Sequence, residues 1–373
     1  MKTPFRATYA KADGWALAAK ACVENIGPIS DDINFGFLYI SDDLVEDASS
    51  ILTFLRQKTG IPHWVGASGV GIIAQTDDFF EQGVLTIMVG AFPPDSFKVF
   101  PSLDEEEVPA DLMAWAQRRT PVTGLIHADG DSEFLPEQMQ ALSDEAGAFL
   151  LGGFASARGD SALVADEVTK GGMAGVLFDP QVGVAAGLSQ GCVPIGAAHV
   201  VSDAIENVLV GLDGRPALEV FKEDVGETIA RDLKRAGGLI QAAIPIEGSD
   251  TGDFMVRGLL GIDPQRGWIA IGQDIQVGER VMFAKRDSKI AREDMRRMLT
   301  RLKARLDADG TPIRAAIYVS CLGRGPGMFA DGVSETELIE EILGDFPMIG
   351  TYAGGEISGG RIYSYTGVLT LFI

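Results

Sequence analysis

The residues with the type and setting to do chemistry stand in glycine-rich runs. Cys321 opens the run Cys-Leu-Gly-Arg-Gly-Pro-Gly, directly after the apolar stretch Ala315–Ser320 and three residues before Arg324. A thiol just past a strand, beside a positive charge, has a lowered pKa and can act as a nucleophile. His127 leaves a comparable strand and becomes its base if the two strands lie side by side. No spacing fixes that partnership, and a small cysteine buried at a strand end needs no chemistry. Cys192 has the same bland reading. His63 precedes a buried-looking strand as a surface or packing residue, and His199 lies in a β-rich hairpin with no metal partner in sequence.

Binding has the better support. Gly66, Ser68, Gly152, Gly153, Ser156, Gly354, Gly355 and Glu356 lie in three similar strand-end loops, and Gly323 and Arg324 follow Cys321. Small residues leave room there and turn backbone N–H groups inward. Asp129 and Asp131 occupy the loop matching that of Arg324. An arginine can hold a ligand carboxylate through two parallel hydrogen bonds, and Glu356 can face a ligand ammonium. An amino-acid-like or carboxylate metabolite suits such a pair of charges. The competing reading pairs Arg324 with Glu356 directly, since paired charges also mark structural networks.

Other chemistries are excluded by spacing. Gly66–Gly71 reads G-x-x-G-x-G, not the G-x-G-x-x-G of a dinucleotide fold, and the Gly323–Gly327 run lacks the Lys-Ser/Thr of a phosphate loop. No cofactor is implied. Three separated cysteines without a CxxC or a Cys/His cluster suggest neither a disulfide framework nor a metal site.

The elements that must position these residues recur three times. In the last copy, Ala315–Ser320 is a strand, Ser334 with Glu337 forms a capping box, and Leu338, Ile339, Ile342 and Leu343 mark a helix face stopped by Gly344. A strand then starts at Met348, and another spans Tyr363–Phe372. In the first copy, Phe35–Ser41 is a strand. Asp42 and Asp43 cap a helix carrying Leu44, Ala48, Ile51, Leu52 and Leu55, Gly66–Gly71 follows, and Val84–Gly90 closes. In the second, Thr123–Asp131 is strand and exit loop, Pro136 opens a helix with Met139, Leu142 and Ala146, Gly152–Ala157 follows, and Gly171–Phe178 closes. Setting Gly66, Gly152 and Gly350 equivalent aligns the copies. Their irregular separation excludes a solenoid of fixed period. The expected fold is α/β, with repeated strand-helix-strand-strand units forming mixed sheets covered by helices, in two packed halves.

Elsewhere, residues 1–34 read as a helical lead-in with Trp15, Leu17, Ala18, Ala21 and Cys22 on its apolar face. Asp104–Glu107 reads as a surface loop and Asp111–Arg118 as a short helix. Val182–Glu219 reads as antiparallel strands, Gly226–Ala236 as a helix, and residues 239–285 as strands. Arg286–Leu306 is a long amphipathic helix whose arginines form a solvated face. The domains are expected at 35–220 and 221–373.

A formal charge of −22, from 31 basic and 53 acidic residues, argues against nucleic acid and anionic membrane partners. The first residues lack a signal-peptide core, and no apolar run reaches the roughly 20 residues of a span, so a cytoplasmic location is expected. The 46 glycines cluster at strand ends and turns.

The runs GASGVG, LLGGFASARGD, GGMAGVLFD, GCVPIGAAHVV, ENVLVGLDGRPALE, SCLGRG and GGEIS, with VRGLLGIDP and the final YTGVLTLF, stand in the order found in the FIST family. From about Phe35 onward the chain resembles that family, with a FIST N region up to about 220 and a FIST C region after it. The resemblance implies a cytoplasmic sensory module for amino acids or similar metabolites, passing its signal to a separate protein. Unlike members fused to output domains, this sequence carries no kinase, DNA-binding or cyclase segment. A cysteine-dependent hydrolase or acyl-transfer enzyme using Cys321 and a protein-interaction scaffold are the alternatives.

Overall fold

Alternation of side chains along each strand decides which face looks where. In Phe35–Ser41, Phe35, Phe37 and Tyr39 enter one apolar cluster, while Leu38 and Ile40 enter another. This division recurs throughout the larger of two compact units in the computed structural model, which describes residues 5–80, 82–103, 105–246, 254–329 and 332–373. Of the sequence readings, Asp104, residues 1–4 of the lead-in and residues 247–253 of the 239–285 stretch lie outside the described residues.

The larger unit comprises residues 1–189, 295–362 and 366–373. Its three six-stranded sheets are built alike. The core of each is a parallel pair: Phe35–Ser41 with His63–Gly69, Val122–Ala128 with Ala148–Phe154, and Ala315–Cys321 with Met348–Ala353. A closing strand lies antiparallel to the first of each pair: Val84–Gly90, Met173–Phe178 and Thr366–Phe372. A lead strand flanks each closing strand: Arg6–Lys11, Phe97–Leu103 and Val184–Gln190.

The other edge is an exchange. Gly71–Ala74 of copy one pairs with Met348–Ala353 of copy three. Leu163–Ala165 of copy two pairs with His63–Gly69 of copy one. Glu356–Ser358 of copy three pairs with Ala148–Phe154 of copy two. Each copy lends a short strand to another, so the three sheets close a ring. The glycines aligned from the sequence share one role: a Cβ on Gly66, Gly152 or Gly350 would sit 1.7, 1.9 or 1.7 Å from the carbonyl oxygen of Leu38, Ile126 or Tyr318 on the parallel neighbour.

Helices cover the outer sheet faces. Trp15–Ile26 and Ala48–Thr59 pack on the first sheet, Ala110–Arg119 and Leu135–Gln140 on the second, and Glu335–Leu343 with the Met295–Leu306 stretch on the third. The inner faces share one core that includes Phe35, Phe37, Leu125, Val176, Ile317, Val319 and Phe372. Ser334 forms the expected capping box with Glu337.

The smaller unit comprises residues 190–294 and 363–365. It interrupts copy three in sequence, between its lead strand and its first helix. Its seven strands follow one another antiparallel, and Cys192–Ile205 also pairs with Val208–Leu212, which closes the sheet on itself. Helix Ala217–Arg231 packs Leu218, Val220 and Phe221 into that interior. Gly226, at φ 76°, breaks this helix, so the expected helix from Gly226 is the second part of a kinked one.

Three local readings change. The lead-in contains strand Arg6–Lys11 before its helix, and Leu17 is 59% exposed because Ala18, Ala19, Cys22 and Ile26 take the inner face. Asp42 and Asp43 do not cap: Asp42 holds Arg158, Asp43 accepts from Gly83 N, and the chain enters the helix through a 3-10 turn. Among the described residues no helix is long and apolar enough to cross a membrane.

Candidate functional site

Copy three's first strand delivers Tyr318, Ser320 and Cys321 to one end of its sheet, and the turn that follows carries Arg324 back over it. The capping box then starts the next helix so that its first residue, Glu335, points into the same place. Arg324 is fully buried. Its Nε and Nη2 donate to Glu335 Oε1 at 2.8 and 2.6 Å, and Nη1 donates to the Ser189 carbonyl at 3.2 Å. Tyr318 Oη and Ser320 Oγ also donate to Glu335, at 2.6 and 2.7 Å. Burial alone would depress the guanidinium pKa; Glu335 outweighs it and holds Arg324 above its ordinary range. A buried charge is tolerated when paired and fully hydrogen-bonded, and that is the condition of both groups.

Glu356 begins the strand that copy three lends to the second sheet, and it too is fully buried. Its Oε2 accepts from Thr366 N at 3.0 Å and Thr366 Oγ1 at 2.8 Å. Burial pushes its pKa up to about 8, opposed by Thr366, by the Cys321 thiol and by the charge of Arg324. The partner of Arg324 is therefore Glu335, which the sequence reading did not single out. Its signal was present: an acidic residue at the first turn of a capped helix, after a loop carrying a lone arginine.

Ser68 and Ser156 staple the copies together. Ser68 Oγ accepts from Ala162 N at 3.0 Å, while Ser156 Oγ accepts from Val70 N at 2.9 Å and donates to the Tyr352 carbonyl at 2.6 Å. Gly153 and Gly355 are packing positions: a Cβ on Gly153 would meet the Gly355 carbonyl at 2.8 Å, and one on Gly355 the Phe154 ring at 2.9 Å. Gly323 N donates to Cys321 Sγ at 3.4 Å. Cys22, Cys192 and Cys321 are all buried thiols outside any disulfide.

The histidines find carboxylates or a phenol. His127 Nε2 lies 2.9 Å from Tyr39 Oη, and burial pulls its pKa down to about 3, so it stays neutral. His63 meets Asp166 at 2.7 Å. His199, in the smaller unit, lies between Asp213 at 2.6 Å and Asp224 at 2.9 Å. Burial works against its charged form, yet the two aspartates prevail and raise its pKa. No cluster of His, Cys, Asp and Glu that could hold a metal occurs among the described residues.

At the junction of copies two and three, a cleft of about 570 Å3 opens at the strand ends. Asp129, Asp131, Phe154, Ser156, Lys170, Leu322 and Gly354 are among its walls. Of the candidate ligand residues, Ser156 and Gly354 reach this cleft together with Asp129 and Asp131. Asp129 Oδ1 accepts from Asp131 N at 3.0 Å. Lys170 pairs with Asp160 on the rim, where both side chains are mostly exposed. The volume falls in the range of small-ligand sites. Lys170 and Phe154 were not anticipated; both belong to copy two, where pairing of Val122–Ala128 with Ala148–Phe154 and with Met173–Phe178 brings them to one end of the sheet.

A family model for the FIST N domain matches residues 34–215, and one for the FIST C domain matches residues 217–359. An uncharacterized protein of Mycobacterium tuberculosis is 34% identical over 246 residues, and one of Mycobacterium bovis is 35% identical over 245. Each alignment spans 62% of this chain and 62% of the relative, so the chain matches less than two thirds of those relatives' length. A chorismatase crystal structure aligns over all of this chain and 99% of its own at 10% identity, with a TM-score of 0.33, which carries no argument.

Proposed function

The chain belongs to the FIST family, and on that premise we propose that it is a cytoplasmic sensory module that binds an amino-acid-like metabolite in the cleft between copies two and three. The observation that carries this reading is the cleft itself, open, about 570 Å3, with Asp129, Asp131 and Lys170 in its lining. A ligand ammonium faces the aspartates. A ligand carboxylate takes Lys170 from its exposed pair with Asp160, a contact worth little in water. Phe154 offers a ring to the ligand's apolar part. In this reading residues 35–220 and 221–373 act as N-like and C-like halves after the 1–34 lead-in, and a separate signalling protein receives the output. Glu356 and Arg324 support the floor instead of contacting ligand.

The test is thermal unfolding against a panel of amino acids and short carboxylates. A ligand at about 100 times its dissociation constant adds roughly 2.7 kcal/mol of stability. Asp131→Asn and Lys170→Ala should each abolish that gain while leaving the unliganded protein nearly as stable as before. A flat response across the panel, or a gain that survives both substitutions, rules the reading out.

A further inference from the structure

Two functional groups of copy three stand close in sequence to residues that line the cleft and take no part in the ligand contacts proposed above. Leu322 and Gly354 line the cleft; Cys321 precedes the first, and Glu356 stands two residues beyond the second. The Cys321 thiol and the Glu356 carboxylate interact. Glu356 Oε2 is satisfied by Thr366, whereas Oε1, fully buried, has no hydrogen-bond partner of ordinary geometry. Gly323 N–H donates to Cys321 Sγ, which favours the thiolate, and the charge of Arg324 acts on both groups.

We propose that Cys321 and Glu356 form a peroxide-reactive pair, in which the thiolate attacks hydrogen peroxide and Glu356 supplies the proton to the departing oxygen. The pair shares one proton. With that proton on Glu356, Sγ attacks one peroxide oxygen, an S–O bond forms and the O–O bond breaks. The hydroxide that leaves takes the Glu356 proton and departs as water, and Glu356 becomes a carboxylate. Sulfur is oxidised to sulfenic acid and the peroxide is reduced, with no further reactant. Burial favours a small, uncharged reagent: Cys321 is 5% exposed. The aspartates of the cleft favour a neutral oxidant over an anionic one. The proposal rests on the cleft only as the route of entry, and it adds an oxidant signal to the ligand signal.

The experiment exposes the intact protein to hydrogen peroxide with dimedone present, without added ligand, and counts sulfenic-acid adducts on each cysteine by peptide mass spectrometry. Cys22 and Cys192, both buried, are the internal controls. Cys321 should label at least tenfold faster than either. Glu356→Gln should slow that labelling tenfold or more. The wild-type pH profile gives a readout independent of any variant. The groups acting on the pair are Arg324 and, through it, Glu335 and Tyr318, all held in one buried network. If Glu356 donates the proton, the rate falls as pH rises past about 8, where its carboxyl ionises. Equal labelling of the three cysteines overturns the proposal. So does a Glu356→Gln rate matching wild type, or a rate that only climbs with pH as for an ordinary thiol. Because no ligand is present, a failed ligand screen leaves each of these results intact.

Discussion

Copies two and three of the repeated motif carry acidic residues at the same end of their sheets, yet only copy three closes over them. In copy two, Asp129 and Asp131 follow the first strand and stay at the edge of an open cleft. In copy three, the corresponding loop turns inward, and Arg324, Glu335 and Glu356 are all at most 2% exposed. Identical backbone topology therefore supports opposite electrostatic regimes. Charges in the cleft are solvated and ready to exchange partners. The buried charges Arg324 and Glu335 are fixed by one another, and removing one strands the other.

That contrast is tested most severely at Arg324. Replacing it with alanine leaves Glu335 buried and charged, which costs about 3–5 kcal/mol. Replacing both together, as Arg324→Met with Glu335→Leu, should recover part of the loss, because no charge is left unpaired although Tyr318 Oη and Ser320 Oγ lose their acceptor. Denaturant unfolding of the two variants measures both. If Arg324→Ala unfolds as easily as wild type, the network is not a structural ion pair and the contrast between copies collapses.

The shared framework is the next point of attack. Gly66→Ala and Gly350→Ala each push a Cβ to within 1.7 Å of a neighbouring strand's carbonyl oxygen. The parallel pairs must spread to accept it, at a cost of about 1–3 kcal/mol or more. Similar losses at the two positions would support the threefold equivalence. A large loss at one and none at the other would mean that the copies match in topology but not in packing.

A third expectation separates the regimes by pH. Glu356 keeps its proton up to about pH 8 in the folded protein, whereas an unfolded glutamate loses it near 4.3. Between those values the folded state binds more protons, so this group's contribution to stability falls as pH rises, by up to about 1.4 kcal/mol per pH unit. Glu356→Gln should flatten the slope. Asp78, pushed up to about 7 by burial, acts with the same sign and persists in the variant, so the comparison of wild type with Glu356→Gln isolates one group. Chemical denaturation at several pH values reads this, and unchanged slopes would place Glu356 in a more solvated setting than its burial indicates.

Much of this architecture was legible from local signals. The capping box at Ser334 and Glu337 acts within four residues, and the runs Phe35–Ser41 and Ala315–Ser320 are apolar enough to announce buried strands. The equivalence of Gly66, Gly152 and Gly350 was also readable, since each must let a neighbouring strand approach. Strand Arg6–Lys11 was not, because RATYAK alternates small and polar residues without a β-branched run. Nor was the exchange of edge strands, which joins residues far apart in sequence, such as Ile349 with Ala74. The same non-locality hid the cleft. Lys170 meets Asp131 there because Met173–Phe178 pairs with Val122–Ala128 within copy two, and Leu322 meets it only because copies two and three are adjacent in the ring. Arg324 with Glu335 was missed for a different reason: two charges eleven residues apart across a glycine loop have no spacing rule.

The smallest expected change is the most informative about ligand binding. Asp131 is exposed and borders the cleft, so Asp131→Asn should alter the stability of the unliganded protein by no more than about 0.5 kcal/mol. Its side chain is not part of the buried network, and its backbone N–H keeps the bond to Asp129. The variant should nevertheless lose the stabilisation that an amino-acid-like ligand confers, because the ammonium loses its counter-charge. Titration calorimetry on wild type and variant compares the two directly. A variant that keeps full affinity would move the recognition elsewhere in the cleft, whereas one that loses both affinity and stability would show that the open end of copy two is as structurally committed as the closed end of copy three.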